Sequence, residues 1–235
     1  MFALAIETSG RVGSVALVRN GVVLAEPTFE HGLKHAAGIL PMIDRLCREH
    51  GIGPKDLAEV YLSIGPGSFT GLRIGVTLAK TMSLTTGVKI VAVPTVEVLA
   101  ANAPADAKHV IIVLDAKRDQ IFTARFELGR AVEPAHLDSL TAMLARSPRP
   151  VHLLGEGIPY HDKFIPKDDP SVILTEPELW RAKAGVVASL GMAMAKLNEF
   201  ADADRLTPLY IRKAEAEEKW DLAQAAKATS DSRTS

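Results

Sequence analysis

Cysteine is almost missing from this sequence. One residue, Cys47, excludes an internal disulfide and any cysteine-rich metal site. It falls on the apolar stripe of an expected helix, so it reads as a buried structural thiol and not as a nucleophile. Net charge is missing too: 27 Lys and Arg stand against 28 Asp and Glu, a formal −1. That balance marks no general nucleic-acid surface, so any RNA role would need a local basic patch or a basic partner. No apolar run approaches membrane length, and the first stretch, MFALAIETSG, lacks a basic region and reaches an acid at Glu7. It reads as a first strand in a cytoplasmic chain without membrane contact. Internal repeats of solenoid period are absent, and no Ser, His and Asp stand at spacings that suggest a triad.

What is present fits a globular α/β chain. At 235 residues, 47% hydrophobic and 23% charged, it can form one large domain or two small lobes. Apolar or β-branched runs at 2–8, 13–19 and 22–29 read as strands, separated by the turns SGRVG and NG. Helical spacing covers 35–50, with Pro41 inside it, and then 71–84; strands are expected at 60–64 and 89–93, and a short helix from Pro94-Thr95 to about 103. After the loop APADAK, runs at 109–117 and 120–128 form a hairpin, followed by a short helix near 138–145 and strands at 151–157 and 171–175. Thr175-Glu-Pro-Glu178 matches a capping box, with a helix expected behind it to about 198. Both halves open with strands and a turn.

SIGPGSFTGLRIG, 63–75, carries Gly65, Gly67, Gly71 and Gly75. It sits between a strand and a helix, where phosphate loops occur. The spacing of Gly65, Gly67 and Gly71 is one residue too long for the dinucleotide fingerprint, and no Lys-Ser/Thr follows for a Walker loop. Gly71 and Gly75 lie one helical turn apart, which lets a neighbouring backbone approach closely. That neighbour is either the same domain or another subunit.

IETSGRVGSVAL, HAAGILPMIDRL, IGPGSFTGLRIGVTLAK, LDAKRDQIFTARF, LGEG and LTPLYIRKAE occur in the order and spacing of the TsaB (YeaZ) family. The resemblance runs over about 2–215. It implies two ribonuclease-H-like lobes of the actin/Hsp70/hexokinase ATPase-like fold, the second reduced. The expected division is 1–104 for the N-terminal lobe with its interface helices, 105–213 for the smaller C-terminal lobe, and 214–235 for a disordered tail. The implied role is that of a non-catalytic partner subunit in threonylcarbamoyl transfer to adenosine beside the anticodon of tRNA. It would dimerise with a catalytic TsaD-like subunit, be acted on by a TsaE-like ATPase, form a homodimer in TsaD's absence, and meet tRNA only through the complex.

The sister subunit TsaD resembles this chain around the glycine stretch but then holds a metal with an H-x-x-x-H pair. Those positions fall on Thr95 and Leu99, which cannot replace two imidazoles. No catalytic or metal-binding residues are therefore expected. The resemblance points to Gly71 and Gly75 for close approach, with Ile39, Met42, Ile43, Ile74 and Leu78 as candidate contacts, some of which must face the core. It also puts Glu7, Thr8, Gly65 and Gly67 near a nucleotide, with ATP or ADP at the junction with TsaD as the only cofactor to consider. Gly75→Leu would on this reading weaken partner binding and leave the lobe folded. His31 and His35 stand four apart, but Gly32 replaces the glutamate of the H-E-x-x-H metal motif, so both read as solvent-facing or capping residues. Asp115 and Asp119 flank Lys117-Arg118 on an expected hairpin tip. The alternative function is a stand-alone actin-like ATPase or an M22-type glycopeptidase.

Overall fold

The computed structural model describes residues 1–30 and 35–212. The expected tail at 214–235, and the pairing of His31 with His35, lie outside the described residues. The first half contains strands β1 (Phe2–Glu7), β2 (Val12–Arg19), β3 (Val22–Ala25) and β4 (Thr28–Glu30), helix α1 (His35–Glu49), β5 (Leu57–Ser63), α2 (Phe69–Thr86), β6 (Lys89–Val93) and α3 (Thr95–Ala100). Its sheet has the order β3-β2-β1-β5-β6, with β4 paired to β2. β1 runs antiparallel to β2 and parallel to β5. The second half holds β7 (His109–Ile112), β8 (Leu114–Asp115), β9 (Ile121–Glu127), β10 (Arg130–Asp138), α4 (Leu140–Arg146), β11 (Val151–Leu154), β12 (Val172–Leu174) and α5 (Ala184–Lys196). Its sheet order is β10-β9-β7-β11-β12, with antiparallel pairing on one side of β7 and parallel pairing on the other. The two sheets thus repeat one plan.

Burial explains the layering. β1 reads FALAIE without polar alternation because both its faces are covered. Leu4, Ile6 and Leu62 face outward to Ile39, Ile43, Leu46, Val76 and Ala79 of α1 and α2. Ala3, Ala5, Tyr61 and Val91 face inward, where α3 and α5 fill the space up to Val110, Ile112 and Ala124 of the second sheet. The far side of that sheet packs Ile111 and Leu153 on Met143 and Leu144 of α4. Pro41 lies inside α1, and the helix runs through it.

Two expectations are corrected. The run 22–29 divides at Pro27, which has no N–H for the ladder, into β3 and β4. The capping box at 175–178 opens only a short 3-10 turn, Pro177–Leu179. Thr175 is already engaged: its Oγ1 donates to the Leu153 carbonyl at 2.9 Å and accepts from Trp180 Nε1 at 3.0 Å. α5 begins later and is capped from the other half of the molecule. Ser14 Oγ accepts from Ala184 N at 2.8 Å and Glu26 Oε1 from Gly185 N at 3.0 Å. The last described helix therefore returns to the first sheet. α5 packs on β1, β2, β5 and β6, and the strap that follows stays with the first sheet through Ala201 N to Ile90 O (2.8 Å) and Leu209 N to Ile64 O (2.7 Å).

Candidate functional site

The glycine stretch joins β5 to α2 and is fastened on every side. Gly65 has φ +113°, which favours glycine. Its N–H donates to Thr95 Oγ1 at 3.0 Å, and its carbonyl accepts from Thr95 N at 2.8 Å. Thr95, one of the two positions at which a metal histidine is wanting, is thus a buried clip on the loop, and Leu99 is core. At Gly67 a Cβ would lie 2.5 Å from the Ser9 carbonyl, which also accepts from Ser68 N at 2.7 Å. Ser68 caps α2 by accepting from Gly71 N at 3.3 Å.

Gly75 requires a correction. A Cβ there would meet Thr8 Oγ1 at 2.7 Å and Leu62 Cδ1 at 3.0 Å, so its bare side is turned to the molecule's own first sheet. Gly71, one turn earlier, is also buried and borders the cleft between the halves. Ile39, Ile43 and Leu78 are likewise buried in their own core. Met42 and Ile74 are half-buried against it. Among the described side chains of the two helices, the exposed large apolar ones are Leu40 of α1, 56% exposed, and Leu84 of α2, 88% exposed. Sequence reasoning passed over both. Leu84 ends the periodic stripe one position away from it, and Leu40 adjoins the buried Ile39, so only burial separates them from core residues.

Between the halves lies a cleft of about 920 Å³, bounded by the 9–11 turn, the start of α2, the 114–117 segment, Glu156 and Tyr160. At its back Glu7 is fully buried. Its Oε1 accepts from Ser9 N (2.5 Å) and Ser9 Oγ (2.6 Å), whereas Oε2, the buried Thr8 Oγ1 and Ser63 Oγ make no hydrogen bond of good geometry, although the Ser63 hydroxyl is near enough to pull the Glu7 carboxyl down. Burial pushes the Glu7 carboxyl above its ordinary range. On the far wall, Lys117, Arg118 and Asp119 all have positive φ, an unusual run for residues with side chains. Asp115 Oδ2 accepts from Lys117 Nζ at 2.7 Å. Partial burial works to raise the Asp115 carboxyl, but the Lys117 ammonium and N–H outweigh it and hold it low. Arg11 and Lys117 both lie 5.5 Å from the centroid of the Tyr160 ring. Glu156 reaches across the cleft and accepts from Arg11 N at 2.9 Å. Burial pushes the Glu156 carboxyl up, against the pull of that N–H and of Arg181.

Three of the backbone N–H groups beside the cleft are already committed within the chain. A phosphate grip needs uncommitted backbone N–H groups, but Ser9 N is held by Glu7, Arg11 N by Glu156, and Ser68 N by the Ser9 carbonyl. Among the described residues no three His, Cys, Asp or Glu side chains stand close enough to hold a metal ion. Cys47 is buried, and burial raises its thiol, as befits a packing residue. No described helix is long and apolar enough to cross a membrane.

Comparison with known proteins sets this geometry in context. The family described as "TsaD: tRNA N6-adenosine threonylcarbamoyltransferase" matches residues 30–220. The tRNA threonylcarbamoyladenosine biosynthesis protein TsaB of Bacillus subtilis is 33% identical over 232 residues, covering 94% of this chain and 98% of the relative. The Escherichia coli protein of the same description is 32% identical over 130 residues, 54% of this chain and 55% of its own. Among solved structures, a Pseudomonas aeruginosa protein with similarity to peptidase YEAZ has a TM-score of 0.74 at 25% identity, covering 90% of this chain and 99% of that one. YeaZ of the same organism also has a TM-score of 0.74, at 24% identity, covering 89% and 100%. The repeated sheet plan and these likenesses are those of the actin/Hsp70-like ATPase fold.

Proposed function

The chain belongs to the TsaB (YeaZ) family, and from that premise we propose that it serves tRNA threonylcarbamoyladenosine biosynthesis as a non-catalytic subunit in the cytoplasm. It pairs with a catalytic TsaD-like subunit, and a TsaE-like ATPase acts on the assembled pair. The transfer of the threonylcarbamoyl group to adenosine takes place on the partner, and tRNA is met through the complex. In the partner's absence the same surface forms a homodimer by isologous pairing. The observation that carries this reading is the outer surface of α1 and α2, where Leu40 of α1 and Leu84 of α2 stand exposed and Met42 is half-buried. The clipped role of Thr95 and the core position of Leu99 support the division of labour, since neither offers an imidazole.

Size-exclusion chromatography of the chain with and without a TsaD-like subunit tests the proposal. A new, earlier-eluting species is expected with the partner. Leu40→Asp with Leu84→Asp should weaken that association at least about tenfold, since each change buries a charge in place of an apolar contact. Circular dichroism should be unchanged, because neither side chain is in the core. Co-elution that survives both substitutions would move the interface elsewhere, and no co-elution of the wild-type pair would end the subunit reading.

A further inference from the structure

The 9–11 turn of the first half already holds a carboxyl group, and the chain itself supplies it. Glu156 stands between Gly155 and Gly157, and both glycines are forced by packing. Gly155 has φ +137° and would put a Cβ 2.3 Å from the Val113 carbonyl; a Cβ at Gly157 would lie 2.6 Å from Asp115 N. Gly157 N donates to Val113 O at 2.9 Å, and Val113 N to Leu154 O at 2.8 Å, so the turn is pinned to the start of β8. Its one side chain is thereby sent across the cleft. There Oε2 accepts from Arg11 N at 2.9 Å, and it stands 3.0 Å from where a Cβ of Gly10 would be. Oε1 is 4.0 Å from Arg181 Nε, and the side chain is only 16% exposed. Backbone N–H groups beside a glycine, next to the start of a long helix, are the kind of donor that holds phosphate oxygens in proteins.

We propose that Glu156 is a built-in anion: from the opposite lobe, its carboxylate takes the place on the 9–11 turn that a nucleotide phosphate would take, closing the cleft without one. Glu7, whose Oε1 holds Ser9 N and Oγ, sits behind the same turn. An incoming phosphate would face two carboxylates and would have to displace Glu156 to gain the Arg11 N–H. The fold keeps its cleft, and this chain has filled the anion position with its own residue. The proposal is independent of the partner reading, because it concerns the chain alone.

The test uses the isolated full chain as wild type, Glu156→Gln and Glu156→Ala. ADP, ATP with and without Mg²⁺, and inorganic phosphate are titrated calorimetrically, and small-angle scattering follows the separation of the lobes. The wild-type chain is expected to show no saturable binding at millimolar concentrations. Glu156→Ala should open the cleft, and formate or phosphate should close it again by replacing the lost carboxylate. Anion or ADP affinity should rise at least about tenfold over wild type. If only free phosphate and formate bind, the turn accepts a bare anion; if ADP binds more tightly than phosphate, the cleft retains its nucleoside side as well. Wild-type binding of ADP as tight as that of Glu156→Ala would overturn the proposal. So would a folded Glu156→Ala whose lobe separation responds neither to the substitution nor to formate. Should Glu156→Ala fail to fold, Glu156→Gln keeps the shape and an acceptor oxygen but loses the charge, and an unchanged anion affinity there overturns the proposal equally.

Discussion

Gly75 and Gly38 are both helical glycines, yet their surroundings predict opposite results. At Gly75 a methyl group would press on Thr8 Oγ1 and Leu62 Cδ1, in a region where both strand and helix are fixed. Gly75→Ala should cost about 1–3 kcal/mol by overpacking, despite the better helix propensity of alanine. Gly75→Leu, expected from spacing alone to spare the fold, should unfold the first lobe. Gly38 in α1 has nothing within 4 Å of such a methyl, so Gly38→Ala should add about 0.5–1 kcal/mol. Urea denaturation of the two alanine variants checks both signs. Glu7 supplies a prediction in pH. Its folded-state carboxyl is raised by burial, so the unfolded chain ionises first as pH rises. The resulting penalty is absent below the unfolded value, grows as pH climbs through the raised folded value, and is constant above it. Glu7→Gln keeps an oxygen for Ser9 N and Oγ and carries no charge. Its urea midpoint should exceed that of wild type, by more at pH 8 than at pH 5; a gain that does not change with pH would refute the burial argument.

Among the elements, α5 shows how a helix can be legible and yet misplaced. Its apolar content announced a buried helix, but the start was read from a capping box whose threonine is hydrogen-bonded to β11 and to Trp180. The true caps, Ser14 and Glu26, lie some 170 and 159 residues away in sequence, so no local pattern can reveal them. Ser14→Ala should cost about 1 kcal/mol, the usual worth of a cap, and hydrogen exchange should quicken at the first turn of α5 before the rest of the helix. Equal exchange along α5 would mean the cap is dispensable. β10 was missed for a different reason. Arg130–Asp138 contains Pro134, has no fully buried residue, and pairs with β9 through two register shifts. Its order rests on Arg125, Glu133, Arg146 and Asp138 linked across the β9–β10–α4 corner, where an alternation of apolar residues would have been visible. The strands β1 and β6, by contrast, were read almost to the residue, because continuous apolar or β-branched runs bounded by turns leave few alternatives.

At the scale of the molecule, the strap after α5 ties the two sheets together. It is held along the first half by Ile90 and Ile64, and by Lys80 Nζ to the carbonyls of Asp204 (3.1 Å) and Leu206 (3.3 Å). Tyr210 packs on Phe69 at 5.2 Å between ring centroids and accepts from Arg73 Nε at 2.9 Å. Arg212 then reaches the second half, donating to the Ala116 carbonyl at 2.5 Å and to Gln120 Oε1. Arg212 thus brackets the three left-handed residues 117–119. Arg212→Ala should accelerate hydrogen exchange at 114–122 several-fold and leave β5 unchanged; acceleration throughout the first sheet would instead indicate general loss of stability.

The amino-acid sequence by itself determined the class of fold, the main strands and helices, the lack of a disulfide or cysteine metal site, and the failure of the glycine stretch to match a phosphate loop. Each of these follows from local chemistry: periodicity, turn residues, and the presence or absence of ligating side chains. The tertiary structure decided what depends on residues distant in the chain. It turned Gly75 inward, separated the exposed Leu40 and Leu84 from the buried Ile39, Ile43 and Leu78, and set the caps of α5 on residues far away in the chain. It also brought Glu156 onto the turn beside Glu7. Those outcomes are set by which surfaces meet when two sheets close on α3 and α5, and a sequence pattern records only that a surface is apolar or small, not what will press against it.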